Sequence, residues 1–267
     1  MPLLGKAPRD AVVVRALAFG DPDGSLWAAG LHAGAPGLIA DGPFGSLASS
    51  VTWDDDGREW RLSGEGVTLT VSPIGEPELP AKNSEGDGAD GPGEGVAQAT
   101  SDHRPELPWS GRQDRCRVTG TLAGAEVDAG GVRTELDDIS VAEIGSIRGF
   151  SGWLDGGEAL TLLAVRSGSK PDHERDLVAA TVFDPDRWIP SIDPRLSTTY
   201  DGDGDPSRAT LELWIADGDR ELPRRAAGEA TGPSVRLAAD GTTLQIRPLR
   251  CHSRGNDGAG VYLLASR

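Results

Sequence analysis

Apolar and polar residues alternate along most of this chain, in short runs bounded by glycine, proline and aspartate. Runs such as "AVVVRALAF" at 11–19, "GVTLTVS" at 66–72 and "RATLELWIA" at 208–216 predict β-strands with one buried face. Asp-Gly pairs recur between the runs, and Asp-Gly supplies the positive φ angles of tight hairpins. A helical period is hard to find, apart from 136–147, which could hold a short helix. The pattern predicts an all-β, antiparallel protein made of packed barrel or sandwich units.

One segment, 76–106, breaks the alternation. It contains no aromatic residue, few aliphatic residues, and many glycines, prolines and acids. Such a composition buries too little apolar surface to offset the cost of ordering the backbone, so we expect a disordered linker or loop. It divides the chain into an N-terminal β unit, 1–75, and a C-terminal β unit, 107–267. The first unit has five or six predicted strands, few for an independent barrel, and could need the second part to complete its sheet.

Composition and charge disfavour several classes of partner. The net charge of −16 opposes nucleic-acid binding, because a phosphate backbone would be repelled. No run approaches the ~20 apolar residues of a membrane span, and Arg15 interrupts the first apolar run, which argues against a signal peptide. Cys116 and Cys251 are too few for a disulfide framework. We expect a cytoplasmic protein with two free thiols; the sequence does not indicate an oligomeric state.

The acidic stretch "DGDGDPSRATLE" at 201–212 has the ligand spacing of a calcium-binding loop, with Glu212 at its last position. Its sixth position, however, is Pro206, whose fixed φ cannot make the sharp turn that glycine makes there. The flanking sequences follow a β pattern, whereas a calcium-binding loop of this type lies between helices. The stretch is therefore predicted to be a solvated hairpin turn, and no metal site is expected.

The motifs of the common enzyme classes are absent. "GFSGW" at 149–153 lacks the spacing of a Gly-x-Ser-x-Gly nucleophile turn. Cys251 and His252 are adjacent on a predicted strand, so their side chains would point to opposite faces. The histidines lack zinc-ligand spacing and no glycine-rich phosphate motif follows a strand, so we expect no cofactor. A hydrolase with an unrecognised site is the least favoured function.

Charged and aromatic residues recur on predicted C-terminal strands whose other positions are apolar. A barrel interior tolerates charges only when they are paired or hydrated, so these residues form either a structural plug or the polar floor of a ligand pocket. Tryptophan is most often core packing; the alternative is the wall of a cavity for a flat or polyene-like ligand. The candidate ligand-binding residues are Arg148, Trp153, Arg166, Asp193, Arg195, Tyr200, Glu212 and Trp214.

The stretch "CRVTGTLAGAEVDAGGVR" at 116–133, followed by "RGFSGWLDGGEALTLLAVR" at 148–166, resembles a lipocalin-like superfamily. This superfamily contains hydroxyneurosporene synthases (carotenoid 1,2-hydratases) and AttH-like proteins, and the resemblance covers roughly 110–267. Many members carry Gly-x-Arg-Asp-His-x-Trp-Gly; here Arg133 matches, but Thr134 and Glu135 replace the Asp-His pair. The resemblance implies two lipocalin-like barrels with an apolar cavity, and it carries over no catalytic residue.

The residues and the resemblance together predict a lipocalin-like β-barrel protein that binds a hydrophobic small molecule, isoprenoid or polycyclic. A reaction in such a pocket would need shape and one proton donor or acceptor. Hydration, isomerisation or cyclisation without a metal would fit that need. The alternative is a non-catalytic binding or structural protein whose paired charges plug the barrel.

Overall fold

Strands make up nearly all of the structure. The computed structural model describes residues 11–33, 35–74, 111–140, 144–168, 176–185, 187–217, 220–239 and 241–266. These residues form antiparallel strands and no helix, and so none with the length and hydropathy of a membrane span. The predicted all-β fold is confirmed. Strands cover 136–140 and 144–147, so the short helix considered for 136–147 is wrong.

The first eight strands close into a barrel, here called barrel 1. They are β1 (Ala11–Gly20), β2 (Trp27–Ala33), β3 (Ala35–Asp41), β4 (Leu47–Asp55), β5 (Trp60–Gly64), β6 (Val67–Pro73), β7 (Gly111–Leu122) and β8 (Ala125–Ser140). Each pairs with the next, and β1 pairs with β8 to close the ring. Closure leaves neither β1 nor β6 with an unpaired edge.

Because of β7 and β8, the boundary between the two units lies later in the chain than the sequence predicts. Because β6 pairs with β7 and β1 with β8, both strands belong to barrel 1. The predicted C-terminal unit, 107–267, therefore begins too early, because the boundary between the barrels follows β8, near residue 140. The expectation that the second part completes the first sheet fits this pairing. The predicted linker 76–106 lies outside the described residues.

The remaining strands form barrel 2. They are β9 (Ile144–Leu154), β10 (Ala159–Ser167), β11 (Leu177–Asp184), β12 (Arg187–Tyr200), β13 (Pro206–Asp217), β14 (Arg220–Ala230), β15 (Val235–Ala239), β16 (Thr242–Ser253) and β17 (Asn256–Ser266). Eight of them close a ring, in which β9 pairs with β17 and β14 pairs with the second half of β16. The short β15 pairs with the first half of β16, outside the ring.

Each barrel has its own filled interior, and a third core joins the two. Trp60 and Phe19 are fully buried inside barrel 1, as Phe150 and Tyr262 are inside barrel 2. The core between the barrels consists of outward-facing apolar residues of both, for example Leu31 of β2 and Leu163 of β10. Cys116 and Cys251 are free, buried thiols, one inside each barrel.

The acidic stretch at 201–205 forms the hairpin turn between β12 and β13. Asp201 N donates to Asp205 O at 2.9 Å, and Asp201 Oδ1 accepts from Asp205 N at 2.9 Å. The predicted solvation of Asp205 is wrong, since its carboxylate is buried between Arg236, Gln245 and Arg247. The Asp205 side chain contacts β15 and β16, and these donors replace water. Among the described residues, no group of three or more His, Cys, Asp or Glu side chains is arranged to hold a metal.

Candidate functional site

The eight candidate ligand-binding residues lie in three separate places and do not form one pocket. Arg148, Arg166 and Tyr200 lie at one end of the interior of barrel 2. The outer face of the same barrel carries Asp193, Arg195, Glu212 and Trp214. Trp153 lies between the two barrels.

Inside barrel 2, Arg148 and Arg166 share one buried carboxylate. They lie on β9 and β10, on the faces that also carry the interior residues Phe150 and Ala164. Arg148 donates to Asp176 Oδ2 at 2.8 Å, and Arg166 Nε donates to Asp176 Oδ1 at 3.1 Å. The hydrogen bond to Asp176 raises the pKa of Arg166 above its ordinary value. This triad is a satisfied ionic plug, because each buried charge has a partner.

Two tyrosines complete this end of the interior. Thr198 Oγ1 donates to the hydroxyl of Tyr262 at 3.0 Å, and burial raises the pKa of that hydroxyl above its ordinary value. Tyr262 is therefore a neutral phenol at physiological pH. Tyr200 lies farther out and is exposed. The buried aromatic core around Phe150 and Tyr262 is thus followed by the ionic plug, and the plug by the exposed Tyr200.

On the outer face of barrel 2, charged side chains gather around Glu212. Arg225 Nε donates to Glu212 Oε2 at 2.7 Å, and Trp214 Nε1 donates to Oε1 at 2.9 Å. These two hydrogen bonds, Arg225 first, lower the pKa of Glu212 below its ordinary value. Arg195 donates to Asp193 at 2.6 Å and reaches Glu212 at 4.0 Å. Glu212 is therefore a carboxylate that accepts hydrogen bonds and does not donate a proton.

This network borders a surface groove, here called the outer groove, of about 530 Å³. Its floor consists of the small residues Ser197, Thr210 and Ala227, which lie side by side on β12, β13 and β14. The charged rim consists of Arg195, Glu212, Arg225 and Arg254. The groove therefore combines an uncharged, shallow floor with guanidinium groups within reach of it.

His252 continues the floor row on β16, where it pairs with Ala227. Its Nδ1 lies 2.9 Å from Asp257 Oδ1, in the hairpin that joins β16 to β17. A carboxylate that holds one imidazole nitrogen fixes the orientation of the ring and leaves the other nitrogen for proton exchange. Among the groove residues His252 is suited to carry a proton.

Trp153 lies in the core between the barrels and not on a ligand cavity. Its indole Nε1 donates to the backbone oxygen of Asp21 in barrel 1 at 2.7 Å. A side chain at Gly20 would overlap this ring, since its Cβ would lie 2.5 Å from the Trp153 ring. Trp153 thus joins the two barrels by packing and by one hydrogen bond.

Barrel 1 has a polar interior end of its own. Arg133 Nε donates to Asp114 at 2.9 Å, and its guanidinium lies 5.0 Å from the centre of the Trp60 ring. Within the described residues, the buried Trp53 Nε1, Trp60 Nε1 and His32 Nδ1 have no hydrogen-bond partner. Burial, and then the charge of Arg15, lower the pKa of His32. This end is a second plug, built around Arg133, the residue that matches the superfamily motif.

Sequence reasoning missed four residues of these sites: Asp176, Arg225, His252 as a groove residue, and Arg254. One signal could have found Arg225. The Asp-Gly turn at 216–219 is visible in the sequence, and a tight hairpin around it pairs Glu212 with Arg225. Asp176 directly precedes β11 and meets Arg166 through the register of the β10–β11 pair, which no short turn signal sets. His252 and Arg254 reach the groove through the β14–β16 pairing that closes the barrel, and short-range patterns do not give that pairing.

No protein-family model matches this sequence, and the search of curated proteins returns no significant match. Solved structures do match. The structure of CghA with Sch210972 has a TM-score of 0.56 and 14% identity, covering 96% of this chain and 88% of CghA. The AttH candidate NE1406 from Nitrosomonas europaea has a TM-score of 0.50 and 11% identity, covering 98% of both chains. The chain has the AttH-like, lipocalin-like fold.

A third match is kievitone hydratase from Nectria haematococca, with a TM-score of 0.44 and 9% identity, covering 97% of this chain and 90% of that one. The resemblance to the AttH-like group that the sequence predicted is confirmed for the fold. At these identities the likeness concerns the two-barrel architecture, and the chemistry has to be argued from the residues of this chain.

Proposed function

We propose that the protein binds a small, partly apolar organic molecule in the outer groove. The volume of the groove, about 530 Å³, carries this proposal, because pockets for small molecules usually measure about 300–1,000 Å³. Small side chains on the floor and charged ones on the rim would seat an apolar body and orient its polar end. CghA, which shares the fold, has a structure with Sch210972, and this supports a small-molecule role.

The barrel interiors are the alternative places for a ligand, and their packing argues against them. Barrel 2 is filled by aromatic and aliphatic side chains, and the triad of Arg148, Asp176 and Arg166 occupies one end. Barrel 1 is filled in the same way around Trp60 and Arg133. We therefore propose the outer face of barrel 2 as the ligand site, in place of the enclosed pocket that the sequence predicted.

The chemistry that the groove offers to a bound molecule is proton transfer. Glu212 is held ionised by Arg225 and Trp214, so it orients and does not donate. His252, held by Asp257, can take up or release a proton near the floor. Hydration, isomerisation or cyclisation of the ligand are the reactions that need only such a carrier and a shaped surface.

A fluorescence titration tests the binding. Phenylnaphthylamine, an uncharged apolar dye, should bind saturably, and Ala227→Trp should weaken binding about tenfold or more by filling the floor. The matched control is Ala216→Trp, on the same face of the same sheet but away from the groove. This control should leave binding unchanged.

The competing function is the structural one, favoured by the plugged interiors of both barrels. It predicts no saturable binding of phenylnaphthylamine or of the related acidic dye anilinonaphthalene sulfonate. Binding that Ala227→Trp and Ala216→Trp leave equally intact would also overturn the groove as the site, because the dye would then bind elsewhere.

A further inference from the structure

We propose that the ligand of the outer groove carries an acidic group, a carboxylate, sulfonate or phosphate, and that Arg225 and Arg254 bind it. This inference rests on the proposed function and names the chemical class of its ligand. Two observations carry it: the unfilled hydrogen-bond donors of Arg225 and Arg254, and the methyl groups beside them.

The guanidinium groups at the groove have more donors than the protein fills. A guanidinium has five N–H donors. Within the described part of the chain, Arg225 donates one hydrogen bond, from Nε to Glu212. Arg254 is paired only with Glu158, at 3.8 Å, which is beyond hydrogen-bond distance. A ligand with hydrogen-bond acceptors would pair with these N–H donors, whereas a ligand with only donors would leave them unpaired.

Each charged residue of the rim already faces a charge of opposite sign. Arg195 pairs with Asp193, Arg225 with Glu212 and Arg254 with Glu158, and His252 contacts Asp257. The net attraction of the groove for a distant anion is therefore small, and an acidic group would be held by short-range hydrogen bonds from the free guanidinium donors.

Arg254 lies in the turn between β16 and β17, where its φ is 54° and that of Gly255 is 85°. Ala123 and Gly124 adopt similar angles, 47° and 83°, in the turn between β7 and β8. The backbone conformation of Arg254 therefore belongs to the hairpin turn itself.

The rest of the lining fits an apolar body attached to the acid. Thr210 and Ala227, on the outer face of the sheet, contribute methyl groups next to the arginines. The planar fork of a guanidinium matches the two oxygens of a carboxylate or the oxygens of a sulfonate or phosphate. The ligand class is therefore a small apolar molecule with one acidic group.

Two dyes of similar shape test this class. Anilinonaphthalene sulfonate carries the acidic group, and phenylnaphthylamine does not. At low salt the sulfonate should bind about tenfold more tightly than the uncharged dye, and added salt should reduce this difference. Arg225→Gln and Arg254→Asn should each abolish most of the difference while the uncharged dye binds as before. Asparagine suits the positive φ, so the second variant keeps the turn intact.

The control is Arg250→Gln, which removes the same charge from the same face of β16 outside the groove lining. It should leave the preference for the sulfonate intact. Equal affinity for both dyes, or a preference that Arg225→Gln and Arg254→Asn leave unchanged, overturns the acidic ligand. The proposed function survives that result if Ala227→Trp still weakens the uncharged dye, and fails if it does not.

Discussion

At the scale of single residues, the polar interior of barrel 1 depends on Arg133. Its guanidinium is buried, bonded to the Asp114 carboxylate and to the backbone oxygen of Arg58 at 2.8 Å. Desolvation offsets much of the attraction within such a pair, so the pair adds little net stability. Removal of one partner is different, because it leaves the other charge buried without compensation.

We predict that Arg133→Met lowers the free energy of unfolding by about 3 kcal/mol, because the buried Asp114 carboxylate then keeps only the half-exposed Arg112 as a partner, at 3.4 Å. Arg117→Met is the matched control, since Arg117 and Asp128 form an exposed Arg–Asp pair on the same two strands. Exposed pairs contribute about 0–1 kcal/mol. Urea denaturation of both variants measures the difference, and equal losses would contradict a special role for the buried pair.

At the scale of elements, the closure of barrel 1 depends on a glycine of β8. Gly131 lies opposite Phe19 of β1, and a methyl group on Gly131 would lie 2.6 Å from the backbone oxygen of Ala18. The two backbones can therefore approach only without a side chain at this position. The preceding residue, Gly130, points outward and would have no atom within 4 Å of an added methyl group.

We predict that Gly131→Ala destabilises the protein by about 1–3 kcal/mol, the usual cost of overpacking. Gly130→Ala should be neutral or stabilise by up to about 1 kcal/mol, because it restricts only the unfolded chain. The urea midpoints of the two variants, whose substituted positions are adjacent, measure the difference in stability. A loss in Gly130→Ala as large as that in Gly131→Ala would mean that strand propensity, and not closure, decides the effect.

At the scale of the whole molecule, the two barrels share an apolar core. Leu163 of β10 and Leu263 of β17 pack there against Val14 and Leu31 of barrel 1. Interfaces between domains that move independently are usually small and more polar than this. The barrels should therefore unfold together.

The two buried thiols test this prediction. With Cys251→Ser the remaining thiol reports on barrel 1, and with Cys116→Ser it reports on barrel 2. Burial raises the pKa of both, that of Cys251 to about 12, so neither thiol reacts until its barrel opens. We predict one common urea midpoint for both thiols. Leu163→Asp should separate the two midpoints, whereas two midpoints without that substitution would contradict coupling.

The sequence predicted local features of this molecule well. Alternation and Asp-Gly pairs indicated the strands and the tight turns between them, since both depend on neighbouring residues. The orientation of Arg195 was out of reach. A register shift lies between Ser191 and Asp193 of β12, so Ile189 faces the interior before it and Leu196 after it. Without that bulge Arg195 would point inward, and a one-residue slip exchanges the faces of a strand.

The pairing of β1 with β8 has a consequence for synthesis on the ribosome. The partner of the first strand is the last strand of barrel 1, and it ends at Ser140. Translation proceeds at about 5–20 residues per second, so β1 and β6 present open hydrogen-bonding edges for seconds after they emerge. Such edges recruit other extended chains. A ribosome that pauses between residues 75 and 110 would prolong this interval, so codon choice in that interval affects how much nascent chain reaches the closed barrel.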